Sequence, residues 1–454
     1  MQDTLHYRIN QVFFFGGMLM YLFVLLYWWE GINYYNILNI VTFISYSYLI
    51  WICMDKPDEY FTNMRLGVTV FIYSFIFVAM YLLMSYTYSD YVLIFNGLDS
   101  QAYENYSSHM TDMSFPAAFY YISHIYTFDD WGAPLVMTAI LKIIPSKYFF
   151  LFCQIIMNVV GTLCLFSISK SIMPKKYGYM AVLVYAISPY SIFFMSSMLK
   201  EEIMVLLIII SIFFLYKYRN SRDPFCILIG GGASLLILFF RVPIAIFVWL
   251  VYAVTLLLDS KGHIQRGLVY LLLISGFILA VGILQYSSDR YVNNMATYMF
   301  ESTTLFQKVV LAAGALIGPF PDLLQLPSQN ISYKPMYAPG VLYKFLLFFP
   351  FWKGFIYCLK SKATEVIPLY LFCLLEMVGL VSVFDGLEVR KAFPHFSLFI
   401  LAAFWFMSRY DIDTTDEIRH SRYYYWANKE FAVSIWIVLI VTLAWNTMIR
   451  VSHL

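Results

Sequence analysis

Long runs of apolar residues, separated by short polar segments, repeat along the whole chain. A helix needs about 20 predominantly apolar residues, and at least roughly 17, to cross the hydrocarbon core of a bilayer. Thirteen segments approach or meet this criterion, and we expect the shorter ones to extend into the adjoining loops. The predicted spans are 10–29, 32–53, 65–88, 148–169, 178–195, 203–217, 225–240, 243–258, 267–287, 338–358, 364–384, 395–408 and 431–449. This pattern predicts an all-α integral membrane protein whose residues 1–454 form a single polytopic domain.

Composition supports the bilayer as the main solvent of this chain. Hydrophobic residues make up 61% of it and charged residues only 12%, whereas soluble domains carry about 25% charged residues. The six cysteines all lie in apolar runs without metal-ligand spacing, which indicates small core residues. The first apolar run is long enough to span, and no small-residue cleavage site follows it, so we expect a retained first helix.

Lys and Arg concentrate in alternate short loops, which predicts a cytoplasmic N-terminus and two long outside segments. The segment 89–147 mixes apolar, aromatic and acidic residues with helix-like spacing, so we expect helices along the membrane surface. The segment 285–340 contains KVVLAAGALIGPF, too short to span and therefore re-entrant or interfacial. We expect a multi-pass protein of the bacterial cytoplasmic (inner) membrane whose active face is outside, on the periplasmic side.

The polar residues with the greatest chemical potential fall on this outer face, in five separate stretches. They are Asp99 and Glu104 in LIFNGLDSQAYENY; Lys200, Glu201 and Glu202 in SSMLKEEIMVL; Arg241 in LFFRVPIA; Asp289 and Arg290 in SSDRYV; and Asp385, Glu388, Arg390, Lys391 and His395 in FDGLEVRKAFPHF. Ionisable residues near membrane depth are costly and mostly functional. Because all five stretches are predicted to lie on the same side of the membrane, we expect them to form one outer site.

Asp99 is the candidate catalytic residue, because a carboxylate after the third span could act as general base on an acceptor hydroxyl. The alternative is a carboxylate that caps a surface helix, since Asp-Ser-Gln-Ala fits an N-cap. Lys200 could hold a phosphate. The acids beside it, Glu201 and Glu202, also fit the favourable placement of carboxylates at a helix N-terminus.

Two arginines are candidate anion ligands. Arg241 begins a span at its outer end, where its fork suits a phosphate or pyrophosphate, and where snorkelling to the interface fits equally well. Arg390 and Lys391 are adjacent cations outside, against the usual bias, which favours an anion site. The alternative is a charged turn balanced by Asp385 and Glu388.

Three further features of the sequence bear on proton transfer, metal binding and nucleotide binding. Glu376 lies within a predicted span and needs a partner, for which Lys353 is a candidate; a structural pair and a proton path both fit. Asp129 and Asp130 fit a surface turn better than a metal site, so no metal or other cofactor is expected, although a divalent metal is compatible. A nucleotide-binding glycine motif is absent from the sequence. An enzyme working on the outer face would therefore need an activated donor that is already in the membrane, such as a polyprenyl-phosphate sugar. No nucleic acid partner is expected.

The pattern of residues over 90–405 resembles the GT-C glycosyltransferases, such as the protein mannosyltransferases and aminoarabinose transferases. The resemblance is carried by Asp99 and Tyr103 in GLDSQAYENY, Asn158 in FLFCQIIMNVVGTLCLFSISKSI, the proline and acidic residues of AISPYSIFFMSSMLKEE, Arg241 in RVP, and VRKAFPHF. It implies a GT-C-like fold, with Asp99 as catalytic base, inversion at the anomeric carbon and a polyprenyl phosphate as leaving group. Arg241, Lys200 or Arg390 would hold that phosphate.

The chain departs from the GT-C pattern in two respects. Two extra spans precede the acidic loop, and no large soluble domain follows the last predicted span, which argues against an oligosaccharyltransferase-like protein acceptor. We therefore expect a glycan or lipid-linked acceptor, with Glu104, Glu201, Arg290, Lys391 and His395 among the substrate-binding residues. One alternative is a surface-polysaccharide polymerase of the O-antigen or capsule type, which uses the same lipid carriers. The other is a transporter or lipid-carrier flippase, which requires charges through the membrane depth such as Lys344 and Glu376.

Overall fold

The computed structural model describes residues 34–54, 56–89, 98–259, 305–320, 334–383, 389–413 and 422–451. Every regular element in these ranges is helical. Among the described residues, five helices are long and apolar enough to cross a membrane, or six if one bent pair forms a single span. The protein is therefore a helical membrane protein. The full set of thirteen spans stays a prediction, and two of them, 10–29 and 267–287, lie outside the described residues.

The described α-helices are numbered here in chain order. They are α1 (Tyr34–Met54), α2 (Asn63–Ser89), α3 (Leu98–His109), α4 (Phe115–Ser123), α5 (Gly132–Ile143), α6 (Lys147–Ile172), α7 (Lys175–Ala186), α8 (Pro189–Met195), α9 (Glu201–Ser221), α10 (Pro224–Ile237), α11 (Val242–Asp259), α12 (Leu305–Leu316), α13 (Lys334–Leu346), α14 (Phe348–Ser361), α15 (Ile367–Val383), α16 (Phe396–Asp413) and α17 (Arg422–Val451). Short 3-10 helices lie at Asp58–Tyr60, Met110–Asp112, Phe128–Asp130, Thr364–Val366 and Val389–Ala392. In the segment predicted to carry surface helices the structure has α3, α4 and α5; their position at a membrane surface stays a prediction.

The predicted span 178–195 consists of two helices, α7 and α8, which are bent by 49°. Pro189 causes the break, because it lacks the N–H that would continue α7, and it starts α8 instead. Ser188 caps α8 by accepting a hydrogen bond from the backbone N–H of Tyr190 at 3.2 Å. The Asn158 amide donates to the carbonyl of Ala186 at 2.9 Å. Non-helical backbone at membrane depth is tolerated only where protein partners satisfy it, and this break is buried on all sides.

The helices surround a core rich in large aromatic side chains, including Trp405, Tyr46 and Tyr185. Within this bundle α9 packs against α6 and α10, α16 against α7 and α14, and α11 against α15. Large apolar side chains also cover outward faces, among them Leu83 on α2 and Leu228 on α10. A continuous apolar exterior of this kind fits a lipid environment.

Polar contacts mark one end of the bundle. The Lys170 ammonium donates to the Asn63 side chain at 3.2 Å, and the Arg219 guanidinium contacts Asp259 at 2.9 Å. All of these residues come from loops or span ends predicted to face the cytoplasm. Since α9 is 21 residues long, its first turn lies about 30 Å from this end. The membrane side that each end faces stays a prediction.

A candidate site of paired charges at one end of the bundle

Arg390 lies between two carboxylates at the end of the bundle where α9 begins. Its Nη1 is 2.5 Å from Asp99 Oδ2, and its Nε donates to Glu201 Oε1. Asp99 and Arg390 are 291 residues apart in sequence. The exposed fractions of the side chains differ sharply: 0% for Glu201, 17% for Arg390 and 49% for Asp99. The group therefore has one buried carboxylate and one that solvent reaches.

Three separate elements position these side chains. Asp99 is in the first turn of α3, Glu201 is in the first turn of α9, and Arg390 is in the 3-10 helix Val389–Ala392 between α15 and α16. The backbone N–H of Met198 donates to Ser100 Oγ at 3.2 Å, which ties α3 to the segment before α9. Both acids lie in the first turn of a helix, where the helix dipole favours negative side chains.

The electrostatics keep Arg390 positively charged. Burial acts to lower the pKa of Arg390, but the carboxylates of Glu201 and Asp99 outweigh it and leave the pKa above its usual value. The guanidinium is thus a permanent cation at the edge of the bundle. A cation of this kind can hold a carboxylate or a phosphate.

A second ion pair lies next to the first. Lys200 Nζ contacts Asp130 Oδ1 and also donates to the carbonyl of Phe240 at 3.0 Å. The start of α5 packs closely against Phe239 and Phe240, because the Gly132 N–H donates to Phe239 O at 2.8 Å and a Cβ at Gly132 would overlap the Phe240 ring. Burial lowers the pKa of Lys200, while Asp130 opposes that effect.

Tyr103 lies close to both ion pairs. It is buried and close enough to interact electrostatically with Asp130, Glu201, Arg390 and Asp99. Burial, reinforced by the three carboxylates, raises the pKa of Tyr103, so its phenol stays protonated and can donate a hydrogen bond. Tyr103 was noted in the sequence only through the GT-C resemblance.

Arg241 connects this end of the molecule with a deeper group of charges. It is close enough to interact electrostatically with both Lys200 and Glu376. Glu376 Oε2 lies 2.8 Å from His395 Nδ1, and Lys344 Nζ donates to the carbonyl of Gly318 at 2.9 Å. These three ionisable side chains are buried in the bundle.

Two residues have contacts that the sequence did not indicate, and the role of His395 in substrate binding stays a prediction. His395, predicted to lie in an outer anion site, is fully buried and pairs with Glu376. The reason is the turn before α16, which carries the chain inward after Arg390. Lys353 is one candidate partner of Glu376 from the sequence, but the described hydrogen bond of Glu376 is with His395. Lys353 lies over the Phe349 ring.

The remaining candidates divide into three groups. Glu104 pairs with Lys147 at 3.0 Å, away from Arg390, because it is five positions after Asp99 on α3 and faces another side of that helix. Lys391 is half-buried in the same 3-10 helix as Arg390. Some predicted residues lie outside the described ranges: Asp289, Arg290, Asp385 and Glu388.

The acidic pair before Trp131 takes part in protein contacts. Asp130 binds Lys200, and Asp129 Oδ1 accepts a hydrogen bond from Thr127 at 2.8 Å. Within the described part of the chain, His, Cys, Asp and Glu side chains form no group of three or more that could hold a metal ion. The expectation that no metal is required stays a prediction.

Comparison with known proteins adds no relative to this picture. No protein-family model matches the chain, and no curated protein sequence matches it. Function is therefore inferred from the residues and their geometry.

Proposed function

We propose that this protein is an inverting glycosyltransferase that moves a sugar from a polyprenyl-phosphate-linked donor to a glycan or lipid-linked acceptor. The contact between Asp99 and Arg390 carries this proposal. It joins a half-exposed carboxylate, suited to take a proton, to a permanent cation, suited to hold a phosphate. Both lie where the broken helix α7–α8 leads into α9, and discontinuous helices often form substrate sites in membrane proteins.

The reaction follows from these two roles. Asp99 takes the proton of an acceptor hydroxyl as that oxygen forms a bond to the anomeric carbon. The bond from the anomeric carbon to the phosphate oxygen breaks, and its electron pair leaves with the polyprenyl phosphate. Arg390 stabilises the negative charge that develops on this leaving group.

The geometry constrains how the two residues can act together. In inverting glycosidases, the two carboxyl groups on opposite faces of the sugar are roughly 6.5–9.5 Å apart, which leaves room for the attacking water. Asp99 Oδ2 and Arg390 Nη1 are 2.5 Å apart. This ion pair must therefore open when a donor binds between the two residues. Lys200 is less suited to the phosphate, because Asp130 and the Phe240 carbonyl already hold its ammonium group. Arg241 remains a second candidate ligand for the phosphate.

Substitution of Asp99 tests the proposal. The purified protein in lipid nanodiscs would receive polyprenyl-phosphate sugars and lipid-linked acceptors, and the products would be separated by mass. Asp99→Asn should slow transfer about 10²–10⁴-fold, the usual contribution of a general base. Asp112→Asn, which makes the same change in the 3-10 helix that follows α3, is the matched control and should keep the wild-type rate. Transfer by Asp99→Asn at the wild-type rate would contradict the base assignment.

Within the same chemistry, product length separates a single transfer from polymerisation. One added sugar supports the transferase, and a ladder of repeats supports a polysaccharide polymerase. A transporter or lipid-carrier flippase is the candidate from another class, favoured by the buried group Lys344, Glu376 and His395. That function predicts movement of a lipid-linked substrate across the bilayer without any covalent product.

A further inference from the structure

The two carboxylates on Arg390 differ in the way they are held. The Glu201 side chain is completely buried and contacts Nε, whereas the Asp99 side chain is half-exposed and contacts Nη1. A buried ion pair resists separation, because either partner alone would be left uncompensated in a low dielectric. A pair with an exposed member is held weakly, since water and salt screen it. Asp99 is therefore the partner that an incoming anion can replace.

The shape of the guanidinium supports the same distinction. Arg presents five N–H groups in a rigid planar fork. Glu201 binds at Nε and Asp99 at Nη1, and Nη2 donates to no residue that the structure describes. At the end of the fork, Nη1 thus has a partner, and Nη2 has none among the described residues. A phosphate can take both groups at once, which is the geometry that makes such pairs strong.

We propose that Glu201 is a positioning residue that fixes Arg390 by Nε, so that a phosphate displaces Asp99 from Nη1 and releases Asp99 to act as base. This inference rests on the proposed function and deepens it. Glu201 was predicted to bind substrate, but with no exposed surface it reaches the ligand only through Arg390. The exchange also supplies the separation that inverting transfer requires, and it releases the Asp99 oxygen only when donor is present.

Two substitutions should act in opposite directions on phosphate binding. Glu201→Gln removes the charge that anchors Arg390 and should weaken binding about tenfold to hundredfold, by analogy with the effect on metal affinity of losing a residue that orients a metal ligand. Asp99→Asn removes the competing carboxylate and should tighten binding, by up to about fivefold, as loss of a weak ion pair implies. A role of these residues in stability alone would not produce opposite signs.

The experiment measures binding of undecaprenyl phosphate to the full-length protein in nanodiscs by native mass spectrometry. Undecaprenol, which lacks the phosphate, is the matched lipid control. Glu202→Gln is the matched protein control, because Glu202 is equally buried on the same helical turn and makes no contact with Arg390 in the structure. It should bind undecaprenyl phosphate as the wild type does.

The outcomes separate the two proposals. If wild-type protein binds undecaprenyl phosphate no better than undecaprenol, the proposed function itself fails. If the wild type binds but Asp99→Asn binds more weakly, the exchange at Arg390 is overturned. Equal binding by Glu201→Gln and Glu202→Gln would overturn the positioning role. Because Glu201→Gln could fail to fold, Asp99→Asn, at a half-exposed position, tests the exchange independently.

Discussion

Asp130→Asn removes the charged partner of Lys200 and keeps the shape of the side chain. Both side chains are about nine-tenths buried, with 7% of Lys200 and 11% of Asp130 exposed. Removing one member of a buried ion pair costs about 3–5 kcal/mol, because the other charge is left unpaired. The Phe240 carbonyl still accepts a hydrogen bond from Lys200, so we expect a loss near the lower limit, about 3 kcal/mol.

The loss should depend on pH through Lys200. Burial lowers the pKa of Lys200 below its usual value of 10.5, and Asp130 opposes this effect. Between the lowered pKa and 10.5 the folded protein binds fewer protons than the unfolded chain, so stability rises with pH across that window. Asp130→Asn lowers the pKa of Lys200 further, because the opposing carboxylate is gone. The deficit of the variant should therefore be larger at about pH 6 than at about pH 9.

Unfolding by SDS titration in mixed micelles, followed by tryptophan fluorescence, gives the free energy difference. Glu104→Gln is the control, because its pair with Lys147 is more exposed, at 18% and 28%, and such pairs contribute about 0–1 kcal/mol. The double variant Lys200→Met with Asp130→Leu should return to near wild-type stability, since a well-packed apolar pair often replaces a buried ion pair without loss. A deficit no larger than that of Glu104→Gln, or one that grows with pH, would refute the reasoning.

Two further predictions use the same titration. Gly340→Ala should cost about 1–3 kcal/mol through overpacking, because the new Cβ would lie 2.7 Å from the backbone N of Tyr190. Gly232→Ala, with nothing within 4 Å of its Cβ, should instead stabilise helix α10 by about 0.5–1 kcal/mol, and a loss of equal size in both variants would contradict the packing. Arg219→Lys should cost about 1.5 kcal/mol, because Arg219 donates to both carboxylate oxygens of Asp259 at 2.9 and 3.1 Å and Lys cannot form that fork; unchanged stability would show that one bond suffices.

Where one apolar run forms one straight helix, the run predicts the position of that helix closely. The predicted span 148–169 is α6, Lys147–Ile172, and the predicted span 364–384 is α15, Ile367–Val383. Hydropathy could not reveal the bend between α7 and α8, because both halves of 178–195 are equally apolar. Ser188 followed by Pro189 was the local signal, since this pair fits an N-cap and a first helical position.

The side chains of the site were harder to predict than its place. Asp99, Lys200 and Arg390 were expected at one end of the molecule, because each lies near the end of a predicted span that faces outside. Their pairings depend on how α3, α9 and the turn before α16 sit against one another, which local sequence does not encode. Asp130 was weighed only for metal binding or a surface turn, and its burial against Lys200 follows from the approach of Gly132 to Phe239.

The pairings also change what a phosphate must do to bind. Cations counted along the sequence suggested a site that attracts anions. In the structure, however, the two cations Lys200 and Arg390 contact three carboxylates, Asp99, Asp130 and Glu201. With Arg241 close to Lys200 the charges of the group nearly balance, so an added anion would leave it net negative, whereas an anion that replaces one carboxylate leaves the balance nearly unchanged. Since Asp99 is the only half-exposed member of these three, electrostatics and accessibility both favour binding by exchange at Arg390.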